Sequence, residues 1–136
     1  MRIKYVVAFT LLLGLLTNCS SDGNNKNFAE MLLGTWVLKE KRLDGQTITH
    51  DCDLLSTVEF NNNYLYSEKY YTPDFKGDCQ LYETQATYTI SENNLIIDYI
   101  NPETTQIIIP FSVSSESLIY KNESGSNTFI FAKASE

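Results

Sequence analysis

The sequence predicts an all-β fold, an antiparallel up-and-down β-barrel of about eight strands preceded by a short N-terminal helix. Two observations predict it. From residue 34 onward, turn residues recur about every 8–12 positions, and several segments between them alternate apolar with polar side chains. We expect the meander to close on itself, because an open sheet would leave two edge strands exposed.

The predicted elements follow the chain in order. Asn27 is a candidate cap for a helix over residues 28–33, and Gly34 is a candidate stop. Pro110 lies inside the sixth strand, and since proline cannot donate a backbone hydrogen bond, we expect a bulge or a break there. Strands are predicted at 35–41, 57–60, 64–71, 81–90, 95–100, 105–113, 118–121 and 128–133.

Two acidic residues lie on the second and third predicted strands. The asparagine turn after Phe60 predicts that Phe60 faces Tyr64 across the hairpin. Glu59 and Glu68 would then lie several residues apart along the sheet, both in solvent. They are therefore not expected to act as the carboxylate pair of a glycoside hydrolase.

The first residues have the features of an export signal. Arg2 and Lys4 give a basic start, followed by an apolar run over residues 5–16. This run is too short to span a bilayer, which takes about 20 residues. The next residues, Leu16-Thr17-Asn18-Cys19, resemble the lipobox of bacterial lipoproteins, in which the Cys is acylated and becomes the new N-terminus.

The lipobox resemblance implies how the chain is organised. It implies a signal peptide over residues 1–18, lipid attachment at Cys19, a tether over 19–27 and one domain over 28–136. The alternative is a conventional signal cleaved after Ser21. A diacylglycerol and an N-acyl chain together would anchor the protein stably to a membrane of the cell envelope. We expect the outer membrane, with the domain in the periplasm or at the surface.

Composition excludes several classes of function. Removing residues 1–18 leaves 118 residues, enough for one domain with its own core. These residues contain eight Lys and Arg against 17 Asp and Glu, a net charge of −9. Nucleic-acid binding is not expected, since it depends on basic side chains that contact phosphates. The acidity instead favours a soluble domain held at a surface.

The chain after Cys19 contains two cysteines, Cys52 and Cys79. Outside the cytoplasm an even number of cysteines predicts a disulfide. Closing a loop of about 28 residues would stabilise the fold by roughly 3–4 kcal/mol in the chain-entropy treatment. The alternative is a reduced pair with Cys52 as a nucleophile. Its neighbours Asp51 and Asp53 would not lower the pKa of such a thiol.

Short motifs follow one another in a recognisable order. Gly34-Thr35-Trp36 opens the first strand like the G-x-W signature of lipocalins. Cys52, the strand Thr57–Phe60, an asparagine turn, an aromatic strand beginning at Tyr64 and then Cys79 come after it. In this order the motifs resemble the lipocalin-like domains of small bacterial lipoproteins. The resemblance implies an antiparallel barrel and carries over no specific chemistry.

Two positions depart from the family pattern. Ala86-Thr87-Tyr88 stands where the family often has a second G-T-W-like element. Lipocalins place an Arg of the last strand over the first-strand Trp, whereas Lys133 is the nearest residue here. A Lys over the indole of Trp36 would form a cation–π contact of about 0.5–2 kcal/mol.

Aromatic and aliphatic residues on alternating strand positions are candidates for the barrel interior. An eight-stranded barrel encloses either packed side chains or one small ligand. Both readings fit the same residues, because core packing also explains buried aromatic side chains. The candidate interior or pocket residues are Trp36, Leu38, Phe60, Tyr66, Tyr88, Phe129 and Phe131.

Two functional hypotheses follow. In the first, the barrel binds a small hydrophobic or amphipathic molecule. In the second, the barrel is filled by its own side chains, and its rim loops contact an envelope or host protein. The loop Thr72–Gln80, which carries Phe75, is the candidate rim surface in both. A cavity of at least about 300 Å³ favours the first hypothesis.

The sequence contains few residues and motifs that suit catalysis or metal binding. His50 is the single histidine, and no G-x-S-x-G motif accompanies it, so an enzyme is not expected. His50-Asp51-Cys52-Asp53 is the one cluster with metal-ligand chemistry, but zinc would need a free Cys52 thiolate. We expect no catalytic residues, no metal and no cofactor.

Overall fold

The computed structural model describes residues 22–100, 105–122 and 124–135. Within these ranges the helix α1 spans Asp22–Leu32, and a 3₁₀ turn spans Asp53–Leu55. Neither helix combines the length and apolar character needed to cross a bilayer. The strands are β1 (Gly34–Leu43), β2 (Gln46–Thr47), β3 (Thr57–Phe60), β4 (Leu65–Pro73), β5 (Cys79–Ser91), β6 (Asn94–Tyr99), β7 (Gln106–Val113), β8 (Ser117–Lys121) and β9 (Asn127–Lys133).

Eight of these strands form a closed barrel. Each strand from β3 to β9 pairs antiparallel with the next, and β1 pairs with both β3 and β9. The β1–β9 ladder runs from the pair Trp36 and Lys133 to the pair Leu43 and Asn127. The short strand β2 lies beside the end of β1. The predicted antiparallel barrel is therefore confirmed, and closure leaves the eight strands without a long free edge.

The helix closes one end of the barrel and is longer than predicted. It begins at Asp22, so residues 22–27, expected as part of a flexible tether, are helical, and Asn27 is not its cap. Leu32 is 0% exposed, and the ring of Phe28 packs edge-on against Phe111 with centroids 5.7 Å apart. Packing of this kind stabilises short helices that propensity alone does not predict.

The half of the barrel next to α1 is solidly packed. The indole Nε1 of Trp36 donates a hydrogen bond to the carbonyl of Leu32 at 2.8 Å. Phe60 packs between the rings of Tyr66 and Tyr88, at centroid distances of 5.3 and 5.1 Å. The hydroxyl of Tyr88 donates to the carbonyl of Asn61 at 3.1 Å, which satisfies its polar end.

Pro110 does not interrupt its strand, contrary to the sequence prediction. It pairs with Asn94 in a β6–β7 ladder without a register shift. The neighbouring Phe111 donates its N–H to Asn93, on the β6 side. The nitrogen of Pro110 therefore points to the β8 side, where pairing begins only at Phe111 and Tyr120. No ladder hydrogen bond is lost there.

Candidate ligand-binding site

The barrel is hollow at the end opposite α1. A cavity of about 280 Å³ lies there and opens toward solvent. Its walls are mainly apolar and aromatic, as in small-molecule sites generally. The lining residues are Leu38, Ser56, Thr57, Val58, Tyr66, Glu68, Tyr70, Tyr99, Ile107, Ile109, Tyr120, Lys121, Asn122, Phe129 and Phe131.

The candidate interior residues divide between the two halves of the barrel. Leu38, Tyr66, Phe129 and Phe131 line the cavity. Trp36, Phe60 and Tyr88 are buried in the packed half beside α1 and do not line it. The division follows position along the strands, because the first residues of β1 and the last of β3 lie at the helix end.

Glu68 is the only acidic residue among the described residues that line the cavity. It follows Tyr66 on the same face of β4, because alternate residues of a strand share a face. Burial raises the pKa of the Glu68 carboxyl, although a hydrogen bond from Tyr66 opposes that rise. Burial, followed by the nearby Glu68 charge, raises the pKa of Tyr99 to about 12. The carboxyl thus lies among tyrosine hydroxyls in apolar surroundings.

The predicted hairpin register is wrong, and Glu68 is half-buried in the cavity wall. Phe60 pairs with Tyr66 and not with Tyr64, so Glu68 faces Val58 across the β3–β4 ladder. The turn is longer than expected because Tyr64 adopts a positive φ of 61° before β4 begins. A shift of two residues leaves each side chain on the same face, so the inward position of Glu68 followed already from that of Tyr66.

A β-bulge turns Lys41 toward the mouth of the cavity. One extra residue after Leu38 shifts the β1–β9 register, so that Lys41 pairs with the cavity-lining Phe129. Lys41 Nζ lies 3.7 Å from Asp53 Oδ1 and donates to the Tyr70 hydroxyl at 3.1 Å. These contacts attach the 3₁₀ turn to the rim. The sequence pattern does not predict these contacts, because alternation from Trp36 places Lys41 outside the barrel.

A comparison with protein families identifies the fold. The model for the lipocalin-like domain matches residues 32–131, from the end of α1 into β9. The chain belongs to this lipocalin-like family. No curated protein matches the sequence.

Solved structures share the architecture of this lipocalin-like domain. A lipocalin-like protein from Bacteroides uniformis superposes with a TM-score of 0.58 at 18% identity, covering 76% of this chain and 99% of that one. An uncharacterized protein from Bacteroides eggerthii gives 0.54 at 12% identity, with 76% and 99% covered. A DUF4847 family protein from Bacteroides vulgatus gives 0.53 at 11% identity, with 78% and 96% covered. At sequence identities this low, the similarity shows a shared fold and nothing more specific.

Lys133 occupies the place over the first-strand Trp in this lipocalin-like domain, as the resemblance implied. Its Nζ lies 4.5 Å from the centre of the Trp36 ring. It also donates to the carbonyls of Met31, at 3.1 Å, and of Leu33. Gly34 has a φ of 109°, and a Cβ there would approach Lys133 Cε to 3.3 Å. The glycine of the G-T-W motif therefore leaves room for the lysine that caps α1.

The predicted disulfide of the lipocalin-like domain is confirmed. Cys52 and Cys79 are joined by a bond of 2.05 Å, so Cys52 as a free nucleophile is ruled out in this state. The bridge links the 3₁₀ turn to the first residue of β5, beside the mouth. Asp53 next to it is 1% exposed, and its Oδ2 accepts the His50 backbone N–H at 2.9 Å.

The acidic cluster around Cys52 is occupied by structural contacts. Asp53 binds Lys41 and the His50 backbone, and Cys52 is oxidised. Among the described residues, no group of three or more His, Cys, Asp or Glu side chains is placed to hold a metal ion. The tip of the loop Thr72–Gln80 also lies at the open end of the barrel, and its Phe75 is 93% exposed.

Proposed function

We propose that this protein is a non-catalytic, lipid-anchored binding protein that holds one small hydrophobic or amphipathic molecule in its barrel. The observation that carries the proposal is the cavity of about 280 Å³, which is open at one end and lined mainly by apolar side chains. Its volume falls just below the range of about 300 Å³ and above that is usual for small-molecule sites, so it suits a small ligand. The lipocalin-like fold of the domain is consistent with such a role.

The contrast between the two halves of the barrel supports a ligand. Beside α1, Trp36, Leu95 and Ile97 are fully buried and fill the interior. Beyond Tyr66 and Phe131 the same strands enclose a cavity. Protein interiors leave few voids larger than a water molecule. A cavity of this volume is therefore better explained as a place for a ligand than as imperfect packing.

The membrane anchor belongs to the same proposal. Cys19 lies outside the described residues, and the lipobox sequence supports its acylation. Asp22, where α1 begins, follows it closely in sequence, and α1 covers the closed end of the barrel. Three residues span at most about 11 Å. The lipid would therefore attach at the helix side, and the mouth would remain open to the periplasm or the medium.

Two measurements test the proposal. Wild type grown with labelled palmitate should carry the label and Cys19→Ser should not, and an unlabelled wild type would contradict the lipid anchor. Residues 22–136, exported in the same host behind a conventional cleavable signal and purified, should show a bound small molecule by native mass spectrometry. A protein that carries no small molecule and binds no apolar probe would contradict the ligand-binding role.

A second candidate is contact with a protein partner through the rim. It is favoured by exposed apolar side chains at the mouth, where Phe75 is 93% exposed and Leu54 and Leu55 are also exposed. Clusters of exposed apolar side chains are uncommon outside interaction sites. If this candidate is right, a partner cross-linked in the intact envelope should be lost with Phe75→Ser. It should be retained with Tyr64→Ser, which changes an exposed aromatic residue at the closed end.

A further inference from the structure

Glu68 is an acidic group inside the cavity, and no basic side chain of the described residues forms an ion pair with it. The ion pairs among the described residues join Lys41 to Asp53, Arg42 to Glu40 and Lys69 to Glu83, and none includes Glu68. Ionised carboxylates that lie in apolar surroundings are ordinarily paired with a cation. The missing partner can therefore come from the ligand.

The walls around Glu68 suit a cation. Tyr66 precedes it by two residues on β4, Tyr99 faces it from β6, and Tyr120 faces it from β8. Burial raises the pKa of Tyr120 well above its usual value, and the nearby Glu68 charge adds to the rise. These hydroxyls stay protonated at neutral pH and carry no charge that would repel an ammonium group. Tyrosine rings attract cations through their faces.

We infer that the ligand carries an ammonium group on a compact apolar body, and that Glu68 binds the ammonium group while the apolar wall holds the body. The inference rests on the proposed function and specifies its ligand class. Ile107, Ile109 and Phe129 supply apolar wall in the same cavity as Glu68.

Charges outside the cavity agree with this ligand. The chain has a formal net charge of −7, which attracts cations from solution. Lys41, at the mouth, is engaged by Asp53 and Tyr70. Lys121 is exposed at the rim, so its charge is screened by solvent. A carboxylate ligand would meet Glu68 inside the cavity and be repelled.

The test compares three probes with one apolar tail, n-octylamine, 1-octanol and octanoate, by calorimetry at pH 7. Octylammonium should bind about tenfold or more tightly than octanol, in line with a charge-assisted hydrogen bond. Octanoate should bind most weakly. Equal affinities for octylammonium and octanol would overturn the inference while leaving the ligand-binding role intact. Binding of none of the three would instead contradict the proposed function.

Two variants assign the effect to Glu68. Glu68→Gln should weaken octylammonium binding about tenfold and leave octanol binding within about threefold. Glu59→Gln is the matched control, because Glu59 lies on the neighbouring strand β3 with its side chain exposed. Octylammonium binding that is unchanged in Glu68→Gln, or equally weakened in Glu59→Gln, would overturn the inference. Far-ultraviolet circular dichroism of both variants establishes that the barrel is folded.

Discussion

At the scale of single residues, Glu68 is the side chain whose environment departs most from its sequence context. It is a charged residue that follows Tyr66 by two positions on β4, and it lines a mainly apolar cavity. An acid whose pKa is raised by burial binds protons more tightly in the folded chain than in the unfolded one. Glu68 therefore makes folding stability depend on pH.

The sign of this dependence gives a prediction for Glu68→Gln. Below about pH 4 the carboxyl is protonated in both states and contributes nothing. As the pH rises through the usual glutamate pKa of about 4.3, the unfolded carboxyl ionises first. The wild-type chain therefore loses stability until the folded carboxyl, whose pKa is raised, has also ionised. Glu68→Gln removes this loss. Its stability relative to wild type should rise as the pH increases above about 4, as measured by urea unfolding.

The other titratable groups around Glu68 do not interfere. Burial raises the pKa of Tyr66 well above its usual value, and the pKa of Tyr99 is about 12, so both stay protonated throughout the range. Lys41 and Asp53 are unchanged between wild type and Glu68→Gln, so their contributions cancel when the two free energies of unfolding are subtracted. Glu59→Gln, which removes an exposed carboxyl from β3, is the control for the loss of one negative charge. A stability difference between Glu68→Gln and wild type that stays constant with pH would contradict the burial of the Glu68 carboxyl.

Lys133 gives a second prediction at this scale. Lys133→Met keeps the length of the side chain but removes the hydrogen bonds to the Met31 and Leu33 carbonyls and the charge over Trp36. We expect the free energy of unfolding to fall by about 1–3 kcal/mol. Chemical denaturation measures it. Lys39→Met, an exposed lysine of β1, is the control and should change stability by less than about 0.5 kcal/mol.

At the scale of elements, the disulfide connects the 3₁₀ turn to β5 at the mouth. The double change Cys52→Ser and Cys79→Ser should lower the free energy of unfolding by roughly 3–4 kcal/mol, because the unfolded chain regains the entropy of a closed loop. Thermal melting in oxidising buffer measures the effect. Adding dithiothreitol should lower the melting temperature of the wild-type protein to that of the double variant. If the wild-type melting temperature is insensitive to the reductant, the bridge does not stabilise the domain.

Most strands could be predicted from sequence, because their signals are local. Turn residues and alternation placed β3 at 57–60 as observed, and the other predicted strands differ from the observed ones by one or two residues at their ends. The first turns of α1 could not be predicted, because Asp22-Gly23-Asn24-Asn25 consists of weak helix formers and has no apolar periodicity. The two-residue strand β2 and the 3₁₀ turn carry no periodic signal of their own.

The site was only partly predictable for a related reason. Tyr66, Phe129 and Phe131 follow from alternation, and the structure places them on the cavity wall. Lys41 does not follow, because the bulge after Leu38 reverses the alternation within one strand. A bulge arises from the register between distant strands, and a single sequence does not report that register.

At the scale of the whole molecule, the barrel separates stability from binding. The end covered by α1 contains Trp36, Phe60 and Tyr88, whose packing holds the ring of strands together. The other end is hollow, and the disulfide lies beside its mouth. Changes to the cavity wall near the mouth should therefore affect ligand binding more than folding. This expectation distinguishes a ligand carrier from a barrel whose interior serves only as a core.

Two neighbouring residues of β7 test this separation. Ile107 lines the cavity near the mouth, whereas Ile108 points outward and is 47% exposed. Ile107→Trp should fill the mouth with the indole ring and weaken 1-octanol binding by about tenfold or more. Ile108→Trp adds the same ring to the outer surface and should leave binding unchanged. Both should melt within a few degrees of wild type, since neither position lies in the packed half. If Ile107→Trp binds the probe as well as Ile108→Trp does, the probe is held elsewhere, and the cavity is not the binding site.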